Sequence, residues 1–143
     1  LSSSSAASDV YKRQALNAQM VRMNSSASNL ANAGTVAGSE DEAFKAKRPV
    51  FQALLSEQQT NQGSQYVGGV KVAAVIEDDS PGSQIYDPSN PQADENGLIY
   101  LSNVNEVSEM VDMMASARSY QNNVEVINTA RELMMRTLDL TKV

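Results

Sequence analysis

Residues 104–141 read VNEVSEMVDMMASARSYQNNVEVINTARELMMRTLDLT. Within that run Met110, Met113, Ala117, Tyr120, Val124, Ile127, Arg131, Met134 and Leu138 recur at alternating steps of three and four. Such steps return each residue to one side of an α-helix, as the seam of a heptad does, and Arg131 is the one charged member. Neither Gly nor Pro interrupts the run. Asn103 or Asn105 can cap its start, Glu106 and Glu109 suit the positive end of the helix dipole, and Lys142 suits the negative end. A helix over about 104–141 is roughly 57 Å long. Folding it into a hairpin near 119–123 would need a bend that no Gly or Pro marks.

The breakers all lie elsewhere. Every Gly (34, 38, 63, 68, 69, 82, 97) and every Pro (49, 81, 88, 91) falls between positions 34 and 97. The chain therefore divides into two helical ends and a middle of strands and turns, an α+β organisation. At the first end Leu16, Met20, Met23, Ala27 and Leu30 repeat the four-three spacing, and Asn32 and Gly34 offer a stop. A helix over about 14–32 is roughly 28 Å long, half the length of the other. The uncovered remainder must then meet the middle segment, a missing N-terminal piece or another molecule, and the last two are favoured. The expected units are a leader at 1–13, a coiled-coil helix at 14–33, an extended and β-hairpin segment at 34–102 and a long coiled-coil helix at 103–143.

In the middle, residues 49–54 read as a strand opened by Pro49. Residues 70–76 read as another, entered through a Gly68-Gly69 turn. Asn96-Gly97 is a hairpin-turn signal before the strand at 98–101. The stretch 57–64 is polar and reads as mobile.

Composition excludes much chemistry. With no Cys there is no disulfide, thiolate nucleophile or thiolate-bound metal, and with no His there is no imidazole base. A net charge of −6 without a basic run argues against nucleic acid and anionic membrane as partners. No apolar stretch approaches a membrane span, and no signal peptide is visible. Leu, Ile, Val and Phe number 30 of the 143 residues. That is little with which to bury a core, and it points to completion by other subunits.

The candidate sites are weak. Asp94-Glu95-Asn96-Gly97 resembles part of a calcium loop, but Gln92 and Asn103 stand where its first and last carboxylates belong. Glu77-Asp78-Asp79 reads as a solvated turn before Pro81. The many serines leave a Ser–Lys pair open, yet nothing resembles a nucleophile elbow or a phosphate-cradling loop. No catalytic residue, metal, cofactor or small-molecule substrate is expected. Met113-Met114 and Met134-Met135 suit packing against several non-identical surroundings.

Residues 24–33, NSSASNLANA, resemble the N-terminal signature of the bacterial flagellar axial proteins, the rod, hook and hook-associated subunits. Asn29, Leu30, Ala31 and Asn32 carry that match. Further along, Gly69-Val70-Lys71-Val72, Pro81, Tyr86-Asp87-Pro88, Asn90-Pro91, Ala93-Asp94-Glu95-Asn96-Gly97 and Asn103-Val104 follow in the order seen in proximal rod subunits of that family. Glu109-Met110-Val111, Ala117-Arg118-Ser119-Tyr120, Asn123-Val124-Glu125 and Leu138-Asp139-Leu140 complete the set. The match runs from about residue 15 to 142. The family usually has His-Pro at Asn90-Pro91, Gly-Tyr at Gly97-Leu98 and Pro at Ser102. Residues 1–13, LSSSSAASDVYKR, depart most, with Ser, Lys and Arg where the family has an apolar first turn; they read as foreign or disordered sequence.

The resemblance implies a structural subunit, not an enzyme, exported by the flagellar type III apparatus without a cleaved signal peptide. It implies assembly across the periplasm, in the basal body, into a torque-transmitting shaft between the motor ring and the distal rod and hook. The implied partners are copies of itself, proximal and distal rod subunits, rod-base and membrane-ring proteins, and the export apparatus. The two heptad stripes are then subunit interfaces, packing inside one subunit, or both. A soluble coiled-coil adaptor or secretion chaperone is the alternative from the residues alone, and a cryptic hydrolase working in 64–97 is a third.

Overall fold

The computed structural model describes residues 2–60 and 63–142. In chain order it contains α1 (Ser2–Asn32), β1 (Val36–Ala37), β2 (Lys47–Thr60), β3 (Gly63–Glu77), β4 (Gln84–Tyr86), β5 (Leu98–Leu101) and α2 (Glu106–Leu140). Two helices thus enclose a strand-bearing middle, the expected α+β class. The helices run antiparallel. Arg22 of α1 lies 3.0 Å from Asp112 of α2, while Asp9, Lys12 and Arg13 face Ile127, Ala130, Arg131 and Met134 across an open cleft.

The first helix is longer than its periodicity indicates. It begins at Ser2, not near 14, so most of the stretch expected as a separate leader is continuous with the helix. The cause is local: the first 33 residues hold no Gly or Pro to stop a helix, and Ala6, Ala7 and Ala15 favour one. With 31 residues against 35, α1 and α2 differ in length by only about 6 Å, and the expected twofold mismatch disappears. The start of α2 is capped by Asn105, whose Oδ1 accepts the Ser108 N–H at 3.0 Å. Lys142 falls beyond the last turn, which closes at Leu140.

β2 and β3 form one long antiparallel hairpin, in register from Lys47 opposite Glu77 to Thr60 opposite Gly63. Its ladder shifts between Val50 and Phe51, where Ala73 is left without an opposite number. Both strands outrun the expected 49–54 and 70–76. Gly68 and Gly69 are not a turn; they sit inside β3 opposite Leu55 and Leu54. The reason is close approach to α1, since a Cβ at Gly69 would lie 2.6 Å from Tyr11 Cδ1. The polar stretch read as mobile joins the same ladder at 57–60 and 63–64, while Asn61 and Gln62 lie outside the described residues.

A second sheet has the order β1-β5-β4, with Ala37 opposite Tyr100 and Ile85 opposite Ile99. Residues 87–97 connect β4 to β5, so Asn96-Gly97 is no two-residue hairpin. It closes a tight loop on Asp94, whose Oδ1 accepts the N–H groups of Asn96 and Leu98 at 2.8 Å each. Gly97 takes a φ of 75°, where any side chain is strained, and a Cβ there would also crowd Tyr86 at 2.9 Å.

Among the described residues only Ala18, Ala46 and Ile99 are buried apolar side chains. Ser25, Ser26, Asn29, Ser102, Glu109 and Ser116 are buried beside them. Such a centre is held by directed polar contacts more than by apolar burial. Replacing Gly97 with Ala should destabilise the fold by about 1–2 kcal/mol through the left-handed φ, measured as a lower urea midpoint with an unchanged slope.

Candidate functional site

Four segments of chain meet at one polar junction. Asn29, fully buried near the end of α1, spans the backbone of Lys47: its Nδ2 donates to the carbonyl at 3.0 Å and its Oδ1 accepts the N–H at 2.7 Å. Asn103 does the same for the loops. Its Oδ1 accepts the Ala46 N–H at 2.7 Å, and its Nδ2 donates to the carbonyls of Asp78 and Ser80 at 2.8 and 2.7 Å. The Asp78 N–H donates to the Ala46 carbonyl at 2.8 Å, and the Ser102 hydroxyl donates to the Ala33 carbonyl at 2.7 Å. Asparagine fits because one side chain carries both a donor and an acceptor for a peptide unit.

One charged pair completes the junction. Glu109, on the first turns of α2, is 0% exposed and accepts from Arg48 through Oε1, while Arg48 Nε lies 4.0 Å from Asp78. Its other oxygen, Oε2, is buried with no partner among the described residues. Removing a carboxylate from water costs several kcal/mol, which only a close cation and good hydrogen bonds offset. The base of the hairpin is therefore locked to the start of α2. Glu109→Ala should cost about 1.5–3 kcal/mol through loss of the charge-assisted bond, since Arg48 is partly exposed and keeps Asp78, and Asn29→Ala about 1–3 kcal/mol. Both are read from denaturant midpoints.

Two carboxylates nearby respond to pH. The Ser80 hydroxyl and N–H hold Asp78 below the usual carboxylate range, helped by Arg48. The Leu98 N–H, then that of Asn96 and the Tyr100 hydroxyl, do so for Asp94. Burial first, and then Asp94, push Tyr100 up. Both acids are depressed on folding, so the stability they lend is complete above the unfolded value of about 4 and is lost as pH falls through the lower folded values. Acidification below about pH 4 should loosen the 87–98 loop, seen as faster amide exchange at Asn96 and Leu98; in Asp94→Asn that response should vanish.

The expected stripe residues are half-buried or exposed, and none is among the fully buried positions. On α1, Leu16, Met23 and Leu30 are half-buried while Met20 and Ala27 are exposed. On α2, Met113, Ala117, Tyr120, Val124 and Ile127 are half-buried, whereas Met110, Arg131, Met134 and Leu138 are exposed. The fully buried positions are Ala18, Ser25, Ser26 and Asn29 on α1 and Glu109 and Ser116 on α2. Ser116 satisfies its own hydroxyl on the Asp112 carbonyl at 2.7 Å. A search for apolar residues passes over them, and it also missed Arg48 and the loop role of Asn103. The faint signals were Ser25 and Asn29 four residues apart, and Glu109 and Ser116 seven apart.

Of the motif residues, Asn29 sits in the junction and Leu30 beside it, while Ala31 is exposed and Asn32 donates to the Ser28 carbonyl at 2.8 Å. Asp94, Asn96 and Gly97 form the tight loop, Pro88 packs at Gly97, and Pro91 is exposed. Among the described residues no three acidic side chains gather as a metal site, and no helix is long and apolar enough to cross a membrane. Apart from Glu109 Oε2, the polar side chains of the junction are engaged with neighbouring chain segments, an arrangement that positions those segments.

Comparison with known proteins places this architecture. Residues 95–140 match the family described as flagellar basal body rod FlgEFG protein C-terminal. The flagellar basal-body rod protein FlgC of Salmonella typhimurium is 47% identical over 126 residues, covering 88% of this chain and 90% of the relative. FlgC of Buchnera aphidicola subsp. Acyrthosiphon pisum is 42% identical over 130 residues, 90% of this chain and 91% of its own. FlgC of Bacillus subtilis is 34% identical over 139 residues, 90% of this chain and 92% of its own. Similarity of this depth across helices, hairpin and loops together leads to one conclusion: the chain belongs to the FlgC family of flagellar basal-body rod proteins.

Proposed function

We propose that this chain polymerises through its two terminal helices into the rod of the bacterial flagellar basal body, the shaft that carries torque from the motor ring to the distal rod and hook. Its family is one of structural rod proteins, not enzymes. The observation that carries the polymer reading is the apolar surface left open on the helices. Exposure runs from 48% at Met20 and 50% at Met110 to 53% at Met134 and 62% at Leu138, with Val107, Met114, Val126, Leu133 and Leu140 also open. So many large apolar side chains exposed along two helices suit a contact with other chains.

On this reading α1 and α2 pack as a coiled-coil pair whose outer flanks meet neighbouring subunits. The stripe residues Leu16, Met20, Met23, Ala27 and Leu30, with Met110, Met113, Ala117, Tyr120, Val124, Ile127, Met134 and Leu138, divide between those two contacts. The neighbours are further copies and the other proximal and distal rod subunits, with rod-base and ring proteins at the lower end. Export through the type III apparatus without a cleaved signal peptide suits a chain lacking Cys, which carries no disulfide to hold it folded. Methionine's pliancy suits contacts with non-identical neighbours.

Deleting the gene should abolish motility and leave basal bodies without complete rods in electron micrographs; complete rods would refute the reading. Met110→Lys with Met114→Lys should keep the monomer's helical circular dichroism and yet fail to restore rods. A stable small oligomer blind to the other rod proteins would instead indicate the adaptor.

A further inference from the structure

Beyond its base, where Arg48 meets Glu109 of α2, the hairpin β2–β3 packs against α1 alone among the described helices and strands. Its strands of 14 and 15 residues make a sheet of two, so each keeps a free edge whose alternate N–H and C=O groups point away from its partner. Two strands alone are marginally stable in water. Along 49–55 and 68–76, Val50, Phe51, Leu55, Val70, Val75 and Ile76 are exposed. Edges meant to stay single are usually protected by charges, proline or brevity. Here Lys71 is the one charged residue and Pro49 the one proline in those two segments.

We propose that in the assembled shaft β2 of one copy pairs with β3 of the next, joining the hairpins of neighbouring copies into one antiparallel sheet. The proposal rests on the polymer reading above and names a surface that reading leaves open. The occupant follows from the edges. A foreign strand would satisfy one edge and end the sheet, leaving the other bare. A second copy satisfies one edge and presents the other again, the heterologous contact from which tubes grow. Copies related by rotation about a common axis point the same way, so β3 of one runs opposite to β2 of the next. That is the sense the two already adopt within a hairpin, and their lengths agree. The ion pair of Arg48 with Glu109 fixes where each hairpin leaves its own helices, so the strands of adjacent copies arrive at a defined height.

The chain has no Cys, so introduced thiols report without background. Chains carrying Ala53→Cys on β2 are mixed with chains carrying Val70→Cys, Val72→Cys or Val75→Cys on β3, positions that the bulge keeps on the face of Ala53 and that sample neighbouring registers. The mixture is assembled with the other rod subunits and mildly oxidised. Particles are counted by sedimentation and electron microscopy, and covalent dimers by non-reducing electrophoresis. The expected result is a dominant mixed dimer for at least one β3 position, with dimers of like chains absent. Particles in which no mixed dimer forms, or in which like and mixed dimers are equally abundant, overturn the pairing and leave the polymer reading standing. Absence of particles from the unsubstituted chain overturns both.

Discussion

Everything in this molecule hangs from the place where Asn29, Lys47, Arg48, Asn103 and Glu109 meet. Asn29 ties the end of α1 to the first residue of β2, Glu109 ties the beginning of α2 to the next residue, and Asn103 ties the loops on either side. Apolar burial could not do this work, because only three apolar side chains are buried among the described residues. Directed bonds specify one geometry where a sparse core would allow several. The junction therefore sets the angle at which two helices and a long hairpin depart, and every outward surface is placed by it.

That division of labour fits a subunit of a polymer. The monomer is held at one end by polar contacts, while the long elements beyond it keep apolar surface for other chains. A protein that buried Met110, Met134 and Leu138 internally would be a sounder monomer and a poorer building block. Relatives match over about nine-tenths of the chain, and the apolar side chains left exposed on the helices are the ones that the proposed polymer would cover.

The sequence disclosed the helices because breakers and periodicity are local properties. Gly and Pro confined to 34–97 placed both helical ends and the strand-bearing middle correctly. What escaped depends on tertiary approach. Gly68-Gly69 looks like a turn unless one knows that Tyr11 passes at van der Waals distance, and Asn96-Gly97 looks like a hairpin unless Asp94 is seen gathering the N–H groups around it. Glu109 suited a helix dipole, and nothing in its neighbours announced that Arg48, sixty-one residues away, would bury it. The apolar stripes were visible, but the fully buried helix positions are Ala18, Ser25, Ser26, Asn29, Glu109 and Ser116, which an apolar pattern does not mark. The early start of α1 was missed because its opening residues lack the apolar spacing that marked the rest.

The central claim is that the hydrogen bonds and ion pair of the junction form within the single subunit, whereas the proposed contacts of the helix flanks and hairpin edges form only in the rod. Amide hydrogen exchange, compared between the isolated chain and the assembled rod, tests it directly. The account predicts that the amides of Ala46, Lys47 and Glu109 are already protected in the isolated subunit and change little. Those of α2 over 126–140 and of both hairpin strands should exchange quickly alone and slow by orders of magnitude on assembly. Strong protection of those segments in the lone chain, or none gained in the rod, would contradict it.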